Sequence, residues 1–160
     1  VEASPRSCKL VKDQLLWWCG NHTAQGCVMP KVHCRAASQH SGRSVTFNIL
    51  KQKGAPSTGD FVGELTAGKK GIKYAQVRVE TLALDELLEA QEASPIFVLK
   101  IDTQGHEPAV FAGLSRTLAR RGVQFILTEF DKSLGLMRNR SSCDSILQSL
   151  DAAGYRLCST

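Results

Sequence analysis

The chain lacks the features that mark most common folds and chemistries. Thirteen glycines and five prolines in 160 residues are too few for a collagen-like or low-complexity protein. The longest apolar runs, such as Ile96-Phe97-Val98-Leu99, are strand-sized. A bilayer needs roughly 20 consecutive apolar residues, so no membrane span is expected. Gly-x-Gly occurs nowhere, nor does a Walker-type phosphate loop or a Gly-x-Ser-x-Gly elbow, and kinase, ATPase and α/β-hydrolase readings fall away. There is no Cys-x-x-Cys and no His at zinc-finger spacing from a cysteine pair, so no structural zinc site is expected. No paired-carboxylate cluster points to a divalent metal.

What is present fits one ordinary domain. Hydrophobic residues make up 42% of the chain and charged residues 22%, enough apolar content for a real core. Twenty basic residues against fifteen acidic ones give a net charge of +5. The basic clusters at Lys69, Lys70 and Lys73 and at Arg116, Arg120 and Arg121 read as solvated loop and helix-end charges. No nucleic-acid partner is expected; that minority alternative would require both clusters to share one face. Six cysteines at 8, 19, 27, 34, 143 and 158 would permit three disulfides, yet a domain of this size needs no staples. The triplets Asn21-His22-Thr23 and Asn139-Arg140-Ser141 are glycosylation sequons, a weak pointer to a secretory route that leaves the compartment open. The chain opens on Val1 rather than Met, so the record is expected to start inside a longer chain or after processing.

Local signals give the elements. Val1–Ala3 reads as the end of a strand, and Ser4 and Pro5 are a good N-cap and first helical residue. Leu10, Val11, Leu15 and Trp18 then recur at helical spacing up to Gly20. Residues 20–31 are loop, and Val32–Ala37 a short strand. Val45, Phe47 and Ile49 alternate with polar residues over Ser44–Ile49, as do Val77, Val79 and Thr81 over Ala75–Leu82. Between those strands, Lys51–Lys73 is an excursion rich in glycine and proline. Asp85–Ala90 is a short helix. Ile96–Ile101 and Val123–Phe130 are nearly continuous apolar runs, the mark of strands covered on both faces. One helix over 108–120 joins them. A last helix follows, capped by Ser141 or Ser142 and stopped at Gly154, and Tyr155–Cys158 is a final strand. This order predicts an α/β fold, a doubly wound, mostly parallel sheet decorated by the hairpin-like strands.

In such sheets ligands bind beyond the carboxyl ends of the strands. Glu2, Asp102 and Glu129 each close a predicted strand and are expected to project into one crevice. Glu2 stands where a ribose-binding acid is common. The sharpest segment is Lys100-Ile101-Asp102-Thr103-Gln104-Gly105-His106-Glu107. Lys100 interrupts an apolar strand, which is costly unless it is paired or faces a cleft. His106 has the pKa for a general base on a hydroxyl, or it is a polar residue at the helix start. Glu107 is a second candidate, or it simply favours the helix N-terminus.

These residues resemble the FkbM family of S-adenosylmethionine-dependent methyltransferases. Leu99–Glu107 is similar to the family's l-K-I-D-x-E-G-x-E hallmark, and Val77–Leu88 to its v-e-T-L-D-e-l piece. Glu2-Ala3-Ser4-Pro5, Arg35–Phe47 and Val123–Glu129 resemble other parts, so the similarity covers nearly the whole chain. Gln104 stands where an acid is usual, Ala3 where proline is common, and the loop at 19–31 is longer than typical. The resemblance implies a Rossmann-like sheet of the class I methyltransferase type. It also implies that the family's first strand, glycine-rich turn and first helix would precede Val1. Residues 1–160 are then a single methyltransferase domain, truncated at its N-terminus and expected to be inactive alone. The implied reaction is O-methylation of a small metabolite or sugar, with S-adenosylmethionine as cofactor and no metal. Cofactor-binding residues would be Glu2, Ala37, Ser38 and Asp102, with Lys100, Asp102, His106 and Glu107 serving the acceptor and its proton. The alternative is a catalytically inactive methyltransferase-like binding or interaction domain.

Overall fold

The computed structural model describes residues 1–22, 26–51, 60–63, 73–91, 95–130 and 140–158. Ser4 and Pro5 open the first helix, α1 (Pro5–Asn21), where Ser4 Oγ accepts from Ser7 N at 3.4 Å. What α1 buries differs from what its apolar spacing predicts. Its buried residues are Cys8 and Cys19, whereas Leu10, Val11, Leu16, Trp17 and Trp18 are exposed. Both buried cysteines are cross-linked, Cys8 to Cys34 and Cys19 to Cys27. The expectation of a domain without staples is therefore corrected. A helix that buries so little apolar surface gains little from packing, and cross-links compensate by shrinking the unfolded ensemble. Of the other two cysteines, Cys143 is buried and Cys158 exposed.

The expected strand at Val32–Ala37 contracts to β1 (Ala36–Ala37), which lies parallel to the end of β4 (Tyr74–Leu82). The alternating segments form the hairpin-like pair that the sequence predicts. β2 (Ser44–Leu50) runs antiparallel to β4 from Ser44↔Glu80 to Leu50↔Tyr74. Val45, Phe47 and Ile49 thereby stand opposite Val79, Val77 and Ala75 and form a small core with Ala3 and Ala36. β3 (Phe61–Val62) pairs with β2 and is pinned by buried Asn48, which donates to Gly63 O at 2.7 Å. Most of the glycine-rich excursion, including Lys69 and Lys70, lies outside the described residues, as do Thr23 and Asn139 of the two sequons.

α2 (Leu84–Ala90) leads to β5 (Ile96–Ile101), which pairs in parallel with β6 (Val123–Thr128) as predicted, from Ile96↔Val123 to Ile101↔Thr128. The connection is not one helix over 108–120 but two, α3 (Glu107–Ala112) and α4 (Ser115–Ala119). Asp85 causes the break. Its carboxylate accepts from Arg116 N at 2.8 Å and Thr117 N at 2.9 Å, capping α4, while its own N–H donates to Gly113 O. Helix α5 (Arg140–Ala152) buries Ile146 and Leu150 against this layer. It begins at Arg140, so neither Ser141 nor Ser142 is its cap. Gly154, at φ 81°, ends it. Tyr155 N donates to Leu150 O at 2.9 Å, and that helix-end bond takes the N–H a strand would need. The expected final strand at Tyr155–Cys158 does not form.

The fold is α/β, but the expected doubly wound parallel sheet is corrected to two sheets. One is mixed, in the order β1-β4-β2-β3, and the other is the parallel pair β5-β6. Nor are the apolar strands covered on both faces. Leu99, Ile101 and Ile126 pack on Val110, Phe111, Leu114 and α5. Phe97 and Phe125 stay 66% and 52% exposed, with Val98 and Leu127 beside them. The described helices cover only one side of a pair whose composition suits two.

Candidate cofactor cleft

Three segments of distant sequence meet at the carboxyl end of β5. The first is the entry to α1. The Glu2 N–H donates to His33 O at 2.9 Å, and Glu2 Oε1 accepts from Ser4 N at 2.7 Å. These two bonds fix the acid's backbone and one of its oxygens. The second is the exit from β1, held by the Ser38 N–H on Leu82 O at 3.0 Å. Gly113 lies under this exit, where a side chain would collide with the Ser38 carbonyl. The third is the turn Asp102–His106. Gln104 (φ 53°) and Gly105 (φ 94°) are both in the left-handed region, which reverses the chain between β5 and α3. Glu107, only 2% exposed, ties that turn: its Oε1 accepts from Thr103 N at 2.8 Å and Thr103 Oγ1 at 3.0 Å.

Together they enclose a cleft of about 280 Å³ lined by Glu2, Ala3, Ser4, Ser7, Arg35, Ala36, Ala37, Phe47, Asp60, Val62, Asp102, Thr103, Gln104 and His106, with Val1 at its rim. That volume is just below the usual range for ligand pockets, about 300–1,000 Å³. Glu2, Ala37, Asp102 and His106, singled out from sequence, share it. Ser38 reaches it through His106, its Oγ lying 3.2 Å from His106 Nε2. Lys100 does not line the cleft; it is exposed and pairs with Asp102 at 3.1 Å. Glu107 lies behind the turn, and Glu129 is exposed outside the cleft, so the three strand-end acids do not converge. Glu2 is also not at the end of a strand, because residues 1–4 have no regular structure.

Electrostatics sort the titratable groups. Burial pushes the His106 pKa below its ordinary value, with Glu107 opposing, so the imidazole is neutral at pH 7. Hydrogen bonds from Gln104 and then Lys100 hold the Asp102 carboxyl below its usual range, keeping it ionised. Sequence reasoning passed over Arg35, Phe47, Asp60 and Val62. Phe47 was legible as a core residue of an alternating strand. Arg35 lay inside the expected strand at Val32–Ala37, and its ion pair with Glu80 at 3.4 Å crosses to β4. Asp60 and Val62 sat in a stretch without periodicity; Val62 comes here by pairing with β2, and Asp60 by accepting from Leu50 N at 2.9 Å.

Around one cleft this α/β domain gathers an acid, a small-residue strand end and a neutral histidine. The model of the methyltransferase FkbM domain matches residues 1–157, essentially the whole chain, and the chain belongs to that family. No curated protein and no solved structure matches it. No described helix is long and apolar enough to cross a membrane.

Proposed function

We propose that the domain binds S-adenosylmethionine in this cleft and transfers its methyl group to a hydroxyl oxygen of a small metabolite or sugar. The observation that carries the reading is the convergence of Glu2, Ala37, Asp102 and His106, from three separate segments, on one cleft in a chain of the FkbM family. The residues present fit the cofactor. The second oxygen of Glu2 has no partner among the described residues and suits a ribose diol. Ala36, Ala37, Phe47 and Val62 supply an apolar wall for a purine. When bound, the cofactor supplies an electrophilic methyl on a sulfonium.

The chain's own residues then orient and deprotonate. With Nε2–H donating to Ser38 Oγ, His106 Nδ1 keeps a lone pair that removes the acceptor's proton. His106 would take the proton from the hydroxyl whose oxygen accepts the methyl group. Asp102, ionised and held by Gln104 and Lys100, faces the methionine end or the acceptor. Glu107 acts through the turn it ties and is a positioning residue. Methyl-labelled S-adenosylmethionine with the full-length protein and a panel of hydroxylated metabolites tests the reading. Label transfer that is lost in His106→Ala supports it; absence of saturable binding of S-adenosylhomocysteine overturns it.

A further inference from the structure

A disulfide joins two of the segments that line the cleft. Cys8 and Cys34, 26 residues apart, are joined Sγ to Sγ. Glu2, Ala3, Ser4 and Ser7 line the cleft on the Cys8 side of that bond, and Arg35, Ala36 and Ala37 on the Cys34 side. Cys8 is wholly buried and sits in the first turn of α1, its N–H on Ser4 O at 2.8 Å. Cys34 directly follows His33, whose carbonyl receives the Glu2 N–H.

The helix buries little apolar surface. The buried residues of α1 are Cys8 and Cys19, both cross-linked, and its large apolar side chains face outward. A helix normally stays in place by burying an apolar stripe; α1 is tethered through its cysteines. The Cys19–Cys27 bond closes a local loop of eight residues at the far end of α1, away from the cleft. Cys8–Cys34 is the covalent tie between the first turn of the helix and the segment carrying β1, beside the Glu2 N–H bond to His33 O.

We propose that the Cys8–Cys34 disulfide is a positioning element of the cofactor site. It fixes the Glu2 carboxylate against Arg35–Ala37, so that the domain binds S-adenosylmethionine well only when this bond is formed. The inference rests on the reading of the cleft given above. It also ties activity to an environment where disulfides persist. A dithiol reductant breaks the Sγ–Sγ bond, delivers two electrons and two protons to give two cysteine thiols, and itself closes to a cyclic disulfide.

The test is calorimetric titration of the full-length protein with S-adenosylhomocysteine in four states: oxidised, reduced by a dithiol, Cys8→Ser/Cys34→Ser, and Cys19→Ser/Cys27→Ser. Far-UV circular dichroism and thermal melting follow the fold of each. We expect binding to weaken at least tenfold in the reduced protein and in Cys8→Ser/Cys34→Ser. The melt should stay cooperative, and Cys19→Ser/Cys27→Ser should bind within about twofold of the oxidised protein. Unchanged affinity without the Cys8–Cys34 bond overturns the inference and leaves the cofactor reading standing. Global unfolding on loss of that bond also overturns it, assigning the bond to the whole fold instead of the cleft. Failure of the oxidised protein to bind removes the cofactor reading, and the inference with it.

Discussion

Ser38 Oγ and His106 Nε2 stand 3.2 Å apart although 68 positions separate them in the chain. The contact joins the exit of β1 to the turn before α3, and it orients the imidazole at the cleft. Removing the imidazole should therefore harm turnover more than cofactor binding. We expect His106→Ala to lower kcat by about 10²–10⁴-fold, the usual yield of a general base, with a much smaller change in S-adenosylhomocysteine affinity. Steady-state kinetics beside calorimetry separates the two. Equal losses in both would assign His106 to binding alone.

The pH profile follows from the direction of the His106 shift. Burial depresses its pKa below the ordinary value of about 6.5. The neutral base is then present above that depressed value, and activity should fall only as pH drops through it. The acid limb of kcat/KM is expected below pH ~6.5. An acid limb above neutrality would contradict the assignment.

Asp102 gives a different pair of outcomes. Asp102→Ala should abolish methyl transfer. Its effect on stability should be small, because Asp102 and Lys100 form an exposed ion pair, worth at most about 1 kcal/mol and weakened by salt. The sign is fixed by the depressed carboxyl pKa. Whatever stability Asp102 contributes is present above the unfolded value of about 3.9 and is lost as pH falls through the folded one. Denaturant melts of wild type and Asp102→Ala at pH 7 and pH 3 measure it; a gap that widens at pH 3 has the wrong sign.

Asp85 carries a purely structural prediction. It is buried and caps α4 through two backbone bonds. Asp85→Ala leaves the Thr117 N–H buried without its partner and should cost about 1–3 kcal/mol. Urea unfolding reads this directly, and a loss under 0.5 kcal/mol, about the level of an ordinary surface change, would show that the cap is dispensable.

Where the signal was local, the sequence was readable. Ser4-Pro5 announced α1, and the alternation at Val45-Phe47-Ile49 and Val77-Val79 announced the antiparallel pair. The apolar runs at 96–101 and 123–128 announced adjacent parallel strands. Long-range features were not readable. The helix break at Gly113 depends on Asp85, about 30 residues earlier, and nothing in the local periodicity reveals that cap. The cysteines were counted but their pairing was not, because spacing does not encode which thiols meet. Glu2 and Asp102 were found as acids closing predicted strands, whereas Val62 enters the cleft through the pairing of β3 with β2 and Asp60 beside it through its bond to Leu50 N.

The most direct test of the cofactor site is calorimetric titration of the full-length protein and its Glu2→Ala variant with S-adenosylhomocysteine. On the proposed reading Glu2 holds the ribose; its backbone is fixed on His33 O and one oxygen on Ser4 N. We expect saturable binding to the wild type and a loss of about 1–3 kcal/mol in the variant, from one charge-assisted hydrogen bond. Wild-type affinity in Glu2→Ala would contradict the ribose role and with it the placement of the cofactor in this cleft.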